Sequence, residues 1–203
     1  MPTQAHHKWR MDQGDETHIF NYPLNKNSFV IELGGFQGLW TRKIIEKFDC
    51  NILTVEPIPS FYNEMVQFLS IVPNQKLILE NCGISTTNKQ IELYVSGDAS
   101  SAHQKVGKPT IVNAYTLEYL LEKYKIQNVD LMQVNIEGEE YPLFENWITS
   151  DILKKFKFIQ VQFHTFVENY SERRNKIQEG LKSLGFKNKY NYDFVWESWE
   201  NEL

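Results

Sequence analysis

The alternation of short apolar runs with segments of helical spacing constrains the fold more than any other feature of this sequence. From Ser28 onward the apolar runs are SFVIELG, NILTVE, KLILEN, VDLMQVN and FIQVQFH. Short runs that are apolar throughout are typical of parallel strands buried on both faces of a sheet. The pattern therefore predicts an α/β fold with a doubly wound, mostly parallel sheet of the Rossmann-like class.

The segments between these runs carry apolar residues at helical steps, which predicts helices packed against the sheet. The stripes are Phe36, Trp40, Ile44, Ile45 and Phe48; Ile58, Phe61, Tyr62, Met65, Phe68 and Leu69; and Tyr170, Ile177, Leu181 and Leu184. Gly185 follows the third stripe and is placed to end its helix. All three stripes are interpreted as core.

Two further strand patterns extend the prediction. The C-terminal FKNKYNYDFVWESW indicates two short strands joined near Tyr192 and Asp193, and so short a turn makes them antiparallel. The run QIELYVSG alternates with a period of two and predicts an inserted strand. The polar loop SGDASSAHQKVGKP follows it and is expected to border a pocket. The predicted sheet is therefore mostly parallel with an antiparallel C-terminal strand.

Length and composition limit the number of domains, the partners and the location. The 203 residues suit one domain, which we place at 28–203 after an N-terminal appendage at 1–27. The 26 acidic residues outnumber the 21 basic ones and no long Lys or Arg cluster occurs, so nucleic acid is not expected as a partner. No segment resembles a signal peptide or a membrane span, so we expect a cytoplasmic protein without membrane contact.

The histidines and cysteines do not predict a metal site. His6 and His7 are neighbours on a polar terminus without further ligands in register. Cys50 and Cys82 each stand beside a strand-like run, which is typical of buried free thiols.

The segment VIELGGFQG is the most informative, because a strand that ends in an acid and three glycines leads directly into a helix. Without a Cβ, Gly34, Gly35 and Gly38 permit tight turns and present main-chain N–H groups where open α/β sheets bind ligands. The GxGxxG dinucleotide fingerprint fails at Leu33. The spacing from Glu32 to the glycines instead predicts a carboxylate beneath the loop that faces a cationic amino acid group. A purely structural turn is the alternative.

The second strand ends in Glu56 and Pro57, about 20 residues past the glycine loop. An acid at that strand end can accept both hydroxyls of a ribose, so a nucleotide-like cofactor is predicted. The alternative is a surface glutamate beside a proline that begins a helix.

Six segments occur in an order and spacing that are more specific than any one of them. They are VIELGGFQGLWT, VEP at 55–57, ENCGIS after the third strand, GDASS, TLEYL at 116–120 and VNIEGEEYPLFENW. From Ser28 to His164 this arrangement resembles the FkbM family of S-adenosylmethionine-dependent methyltransferases. The resemblance implies a class I methyltransferase sheet and S-adenosylmethionine as the cofactor.

The same resemblance implies roles for individual residues. The implied cofactor-binding residues are Glu32, Gly34, Gly35 and Gly38 around the methionine part; Glu56 at the ribose; Asn81, Cys82 and Gly83 on the adenine side; Asn135 after the fourth strand; and Phe36 and Pro57, which are not assigned to one part of the cofactor. Family members commonly have Lys-x-Asp where this chain has Gln133 and Asn135, so two charged side chains are replaced by neutral amides. This departure puts an aspartate-like base at position 135 in doubt, whereas an amide still hydrogen-bonds to a cofactor.

Two residues are candidates for handling the proton of a hydroxyl acceptor. His164 ends the FIQVQFH strand at the ligand-binding edge of the sheet, and histidine titrates nearest to neutral pH. A histidine that only caps its strand is the alternative. Glu137 in the NIEGEE segment is the second candidate, with a glutamate that only stabilises a helix N-terminus as its alternative.

The resemblance favours O-methylation of a sugar, a nucleotide-linked sugar or glycan precursor, or a secondary metabolite. N-methylation is disfavoured because the segment from Ile136 to Gly138 lacks the prolines and aromatic ring of the [DN]-P-P-[YF] motif. A catalytically silent methyltransferase fold that serves as a binding or scaffold subunit is the alternative function. An NAD-dependent oxidoreductase already fails at Leu33. The expected partner is a small acceptor molecule, and homodimer formation stays open.

Overall fold

A computed structural model describes residues 3–72, 76–96, 99–101 and 107–202 of the chain. The helices are α1 (Gln4–Met11), α2 (Gly14–Thr17), α3 (Leu39–Phe48), α4 (Pro59–Phe68), α5 (Leu117–Lys123), α6 (Glu140–Trp147) and α7 (Tyr170–Ser183). The strands are β1 (Phe29–Leu33), β2 (Asn51–Val55), β3 (Leu77–Glu80), β4 (Gly83–Ile84), β5 (Lys89–Ser96), β6 (Ala99–Ser101), β7 (Lys108–Tyr115), β8 (Val129–Val134), β9 (Phe156–Val161), β10 (Phe186–Tyr192) and β11 (Trp196–Asn201). None of the helices in these ranges is long and apolar enough to cross a membrane.

Seven strands form the main sheet in the order β10-β11-β9-β8-β1-β2-β3. The neighbours from β9 to β3 run parallel, whereas β11 is antiparallel to both β9 and β10. The predicted doubly wound sheet with an antiparallel C-terminal strand is therefore confirmed. The chain moves outward from β1 in both directions, so the carboxyl ends of β1, β2 and β8 border the crevice where such sheets bind ligands.

Strand β1 shows how the sheet is buried on both of its faces. Ile31 and Leu33 belong to a core cluster that includes residues of α5, α6 and α7. Val30 points to the opposite face and packs with Ile44 of α3 and Met65 of α4. The side chains of Val30, Ile31 and Leu33, and of the helix residues Ile44 and Met65, are fully buried, so helices cover both faces of the strand.

The predicted helical stripes are confirmed where they face this core, whereas Phe36, Phe61 and Phe68 differ. Ile44, Ile45, Met65, Leu69, Ile177 and Leu181 are buried. Phe36 lies outside α3, in the loop before it, with a φ of 46° that a right-handed helix does not contain. Phe68, at the end of α4, is 38% exposed.

A second sheet, in the order β4-β7-β5-β6, is inserted after β3. The predicted inserted strand is confirmed as β5. The expectation of one polar loop after it is wrong in part, because 99–101 form β6 and pair antiparallel with β5, and β7 begins at Lys108. Residues 97, 98 and 102–106 of that loop lie outside the described ranges.

The N-terminal segment packs on the β10–β11 hairpin. Trp9 and Ile19 are buried in a cluster with Tyr192 and Val195. The ring of His18 lies 3.0 Å from the Tyr192 hydroxyl, atom to atom. The segment therefore adds its own apolar residues to the side of the domain opposite β3.

Candidate active site

A cavity of about 320 Å³ opens at the carboxyl ends of β1, β2 and β8, and β5 of the second sheet forms one of its walls. This volume lies at the lower end of the range of small-molecule sites, roughly 300–1,000 Å³. The residues that line it are Gly34, Phe36, Val55, Glu56, Pro57, Phe61, Cys82, Gly83, Ile84, Ile91, Leu93, Asn135, Ile136, Glu137 and Glu139.

The glycine loop brings the main chain of β1 against β2 and β8. The N–H groups of Gly34 and Gly35 both donate to the oxygen of Val55, at 2.9 and 3.0 Å. Gly34 has a φ of 92° and lines the cavity. Its position lets the loop lie against the main chain of Asn135, which a side chain would obstruct.

The other two glycines of the loop lie outside the cavity lining. A Cβ on Gly35 would come within 2.3 Å of the Thr54 side chain, and one on Gly38 within 2.9 Å of Met65. Both glycines therefore allow the loop to pack closely on β2 and α4, and their contacts are with the protein.

Glu32 also lies outside the lining, beneath the glycine loop. Its side chain is 2% exposed, accepts a hydrogen bond from the Thr41 hydroxyl and lies 3.4 Å from that of Thr54. Burial raises the pKa of Glu32 to about 8, although the Thr41 and Thr54 hydroxyls oppose the shift. The carboxyl group is therefore mostly neutral at pH 7.

Glu56 lines the cavity at the end of β2. One carboxylate oxygen accepts the N–H of Phe36 and the other that of Ile58, both at 2.8 Å. Burial raises the pKa of Glu56 to about 7, against the lowering effect of these two N–H groups. The Asn81 side chain donates to the main-chain oxygens of Glu56 and Pro57, at 2.9 and 3.1 Å. Asn81 thus holds the main chain at Glu56 and Pro57 in place, although Asn81 itself does not line the cavity.

Part of the cavity wall is apolar. Phe36 and Phe61 meet edge to face with ring centroids 4.7 Å apart. Cys82 and Gly83 also line the cavity, and burial raises the pKa of the Cys82 thiol to about 12, so the thiol is neutral. Phe61, Ile84, Ile91 and Leu93 also line the cavity, although Phe61 was predicted as core and the other three were not predicted as site residues. The alternation of β5 puts Ile91 and Leu93 on one face of that strand.

Asn135 follows β8 directly and its main-chain N–H donates to Leu33 at 3.0 Å. Its side-chain oxygen is buried and has no hydrogen-bond partner among the described residues. A buried acceptor in this state is costly unless a ligand or a water donates to it. Asn135 is therefore suited to receive an N–H or O–H group of a molecule in the cavity.

The NIEGEE segment forms the rim of the cavity. Glu137 has a φ of 54° and Gly138 one of 104°, so two successive residues are left-handed. Glu140 is fully buried and accepts the N–H groups of Ile136 and Gly138, both at 2.9 Å. The Ser101 hydroxyl donates to the main-chain oxygen of Glu137 at 2.8 Å. These bonds fix Glu137 on the rim.

His164 lies behind Glu137, outside the lining. Its Nδ1 is 3.0 Å from a carboxylate oxygen of Glu140, and its Nε2 is 3.4 Å from one of Glu137. Burial lowers the pKa of His164, but the hydrogen bonds and charges of the two carboxylates outweigh burial and raise it to about 10. The ring is therefore an imidazolium at pH 7.

The sequence profile described as the methyltransferase FkbM domain matches residues 32–192 of this chain. The chain belongs to the FkbM methyltransferase family. This match confirms the family that the six segments predict. A search of curated proteins found no match.

Solved structures with the same fold include methyltransferases from several organisms. The FkbM chain superposes on the Methanococcus jannaschii fibrillarin pre-rRNA processing protein with a TM-score of 0.53 and 15% identity, covering 89% of this chain and 69% of that one. An rRNA methylase from Streptococcus thermophilus superposes with a TM-score of 0.51 and 12% identity, covering 88% of this chain and 89% of that one. M. capricolum TrmK in complex with S-adenosyl-homocysteine superposes with a TM-score of 0.52 and 10% identity, covering 96% of this chain and 68% of that one. At these identities the likeness establishes the fold of the FkbM chain.

Proposed function

We propose that this FkbM chain binds S-adenosylmethionine in the cavity and methylates a hydroxyl group of a small acceptor. Acceptors of this kind are a sugar, a glycan precursor or a secondary metabolite. The observation that carries the proposal is Glu56, an acid at the end of β2 whose two oxygens are oriented by main-chain N–H groups at the cavity wall. Each carboxylate oxygen keeps a lone pair for a ribose hydroxyl.

The remaining lining residues fit the same cofactor. Gly34 lines the cavity with its main chain, and the buried oxygen of Asn135 lacks a donor within the described part of the protein. The apolar surfaces of Phe36, Phe61 and Cys82 suit an adenine ring, and Gly83 and Pro57 complete that wall. Glu32, Gly35, Gly38 and Asn81 support the site by shaping the loop and the turn. When bound, S-adenosylmethionine supplies an electrophilic methyl group, so the protein contributes mainly position and electrostatics.

The charge of the cavity favours an acceptor that is not an anion. Glu56, Glu137 and Glu139 line it, and none of its described lining residues is Lys or Arg. Acidic groups attract a sulfonium cation and repel phosphate. An uncharged sugar or metabolite hydroxyl is therefore favoured over a nucleotide-linked sugar or over RNA, the substrate class in the name of the S. thermophilus methylase.

Isothermal titration tests the cofactor site. Wild-type protein is expected to bind S-adenosylmethionine and S-adenosylhomocysteine but not NAD. Glu56→Ala removes hydrogen bonds to a charged group, each worth about 1.5–3 kcal/mol, so affinity is expected to fall at least tenfold. Glu46→Gln, at an exposed salt bridge on α3, is the matched control and leaves affinity unchanged. Equal affinities of wild type and Glu56→Ala would contradict this site.

A second function, a catalytically silent binding subunit, has one observation in its favour. Gln133 and Asn135 are neutral amides where the family commonly has a charged pair, and both carry a buried side-chain oxygen without a partner in the described ranges. A screen with S-adenosylmethionine against sugars, nucleotide-linked sugars and phenols separates the two functions. Turnover of any acceptor supports the enzyme, whereas cofactor binding without turnover of all three classes supports the silent subunit.

A further inference from the structure

His164 lies between the carboxylates of Glu137 and Glu140, an arrangement that does not fit the expectation that His164 is the base. We infer that Glu137 accepts the proton of the acceptor hydroxyl, and that His164 is a positioning residue that holds Glu137 at the cavity rim as an imidazolium between two carboxylates. This inference rests on the proposed function and names the group that performs its chemical step.

The geometry of the ring favours the charged form. Nδ1 faces Glu140 at 3.0 Å and Nε2 faces Glu137 at 3.4 Å. A neutral imidazole has one N–H, so it would leave a lone pair facing one of the two carboxylates, whereas an imidazolium presents an N–H to each. A ring protonated on both nitrogens has no lone pair with which to accept a proton, so His164 in this position is not a base.

Glu140 anchors the cluster as a fixed negative charge. Its side chain is fully buried and receives the N–H groups of Ile136 and Gly138 in addition to His164. A buried carboxylate requires a cation nearby. His164 supplies that cation. Phe166 is the neighbouring ring, with its centroid 5.3 Å from that of His164, and the Tyr141 hydroxyl donates to the main-chain oxygen of His164 at 2.7 Å.

Glu137 is the member of the cluster that reaches the cavity. It lines the cavity and its side chain is 29% exposed, against 13% for His164, which does not line the cavity. Its left-handed backbone is an unfavourable conformation for glutamate and persists because Ser101 and Glu140 hold the main chain on either side. Strain retained at a cavity rim is typical of a group that must be aimed.

The proton balance of the reaction follows from this placement. The acceptor oxygen forms its bond to the methyl carbon while its proton passes to a carboxylate oxygen of Glu137. The electron pair of the methyl–sulfur bond remains on sulfur, which becomes a neutral thioether. Glu137 then releases the proton to solvent through its exposed side. His164 keeps both of its protons throughout and stabilises the carboxylate before transfer.

Nuclear magnetic resonance of the protein without cofactor tests the positioning half of the inference. At pH 7.5 the 15N shifts of His164 are expected to be those of an imidazolium, with titration well above neutral pH. Glu137→Gln and Glu140→Gln are each expected to lower the pKa of His164, since each removes one negatively charged neighbour of the ring. A neutral His164 in wild-type protein at pH 7.5 would overturn the assignment without any measurement of activity.

Kinetics with an acceptor found in the screen test the catalytic half. Glu137→Gln is expected to lower kcat by about 10²–10⁴, far more than it weakens cofactor affinity, and Glu137→Asp to restore part of kcat. His164→Gln lowers kcat less, because no proton passes through the ring. Glu172→Gln, on the exposed side of α7, is the control and keeps wild-type kcat. Wild-type kcat in Glu137→Gln contradicts the inference, whereas a chain that binds no S-adenosylmethionine contradicts the proposed function.

Discussion

A Cβ atom on Gly34 would lie 2.0 Å from the main-chain oxygen of Asn135. The two residues follow neighbouring strands, and the N–H of Asn135 donates to Leu33, the last residue of β1. The glycine loop and the NIEGEE segment, the two most informative segments of the sequence, are thus in direct main-chain contact. Glycine at position 34 serves this contact as well as the cavity, so its replacement affects folding and binding together.

Gly34→Ala is expected to lower the free energy of unfolding. The left-handed φ of 92° alone costs a non-glycine residue about 1–3 kcal/mol, and the clash with Asn135 adds to it. Urea denaturation measures the loss. Gly185→Ala is the reference, because Gly185 ends α7 with a φ of 91°. A loss at Gly34 no greater than that at Gly185 would show that the contact with Asn135 contributes nothing.

Cofactor affinity is expected to depend on pH through Glu56. Its pKa of about 7 means that the carboxylate that accepts ribose hydroxyls is the main form only above neutral pH. Affinity for S-adenosylmethionine should therefore weaken as pH falls from 8 to 6, by up to about tenfold per unit below the pKa. Calorimetry across this range gives the profile. Glu56→Gln should flatten it, and an unchanged slope in that variant would assign the dependence to another group.

Glu32 is expected to make the protein less stable as pH rises. Its carboxyl is protonated in the folded state up to about pH 8, whereas the unfolded chain ionises near its ordinary value of 4.5. Between these values the folded state binds more protons, so its contribution to stability falls by roughly 1.4 kcal/mol per pH unit and levels off above about pH 8.

The variant Glu32→Gln isolates this effect. Glutamine keeps an acceptor for Thr41 and cannot ionise, so the variant should match wild type at pH 4.5 and exceed it in stability at pH 8 to 9. Thermal unfolding at several pH values makes the comparison. Parallel stability curves for the two proteins would mean that Glu32 is ionised in the folded protein at neutral pH.

The sequence predicted the sheet well because its signals are local. Apolar runs identify buried strands, and the short turn after Tyr192 fixes the antiparallel hairpin. Glu56 was found as a site candidate because its position at the end of β2 follows from strand order alone. Each of these features depends on residues that are close together in the chain or on a rule of topology.

The remaining features depend on contacts between distant segments. Ile91 and Leu93 line the cavity only because β5 of the second sheet borders the carboxyl ends of the main-sheet strands, which the alternation of β5 does not specify. The charge of His164 depends on two carboxylates, those of Glu137 and Glu140, that approach it from another strand end. Its position at the end of a strand could not reveal that both ring nitrogens are engaged.

Gln133 and Asn135 are expected to behave as the neutral substitute for a charged pair. Gln133 is 4% exposed on β8, so lysine at that position would bury a cation that needs a carboxylate partner. Asn135→Asp alone would add an anion near Glu56 and Glu137 and is expected to destabilise the protein. The double variant Gln133→Lys/Asn135→Asp should be more stable than the sum of the single effects, by about 0.5–3 kcal/mol. Urea denaturation of wild type, both single variants and the double variant completes the cycle. Additive effects would show that the two positions do not interact, and the amides would then be independent features of this chain.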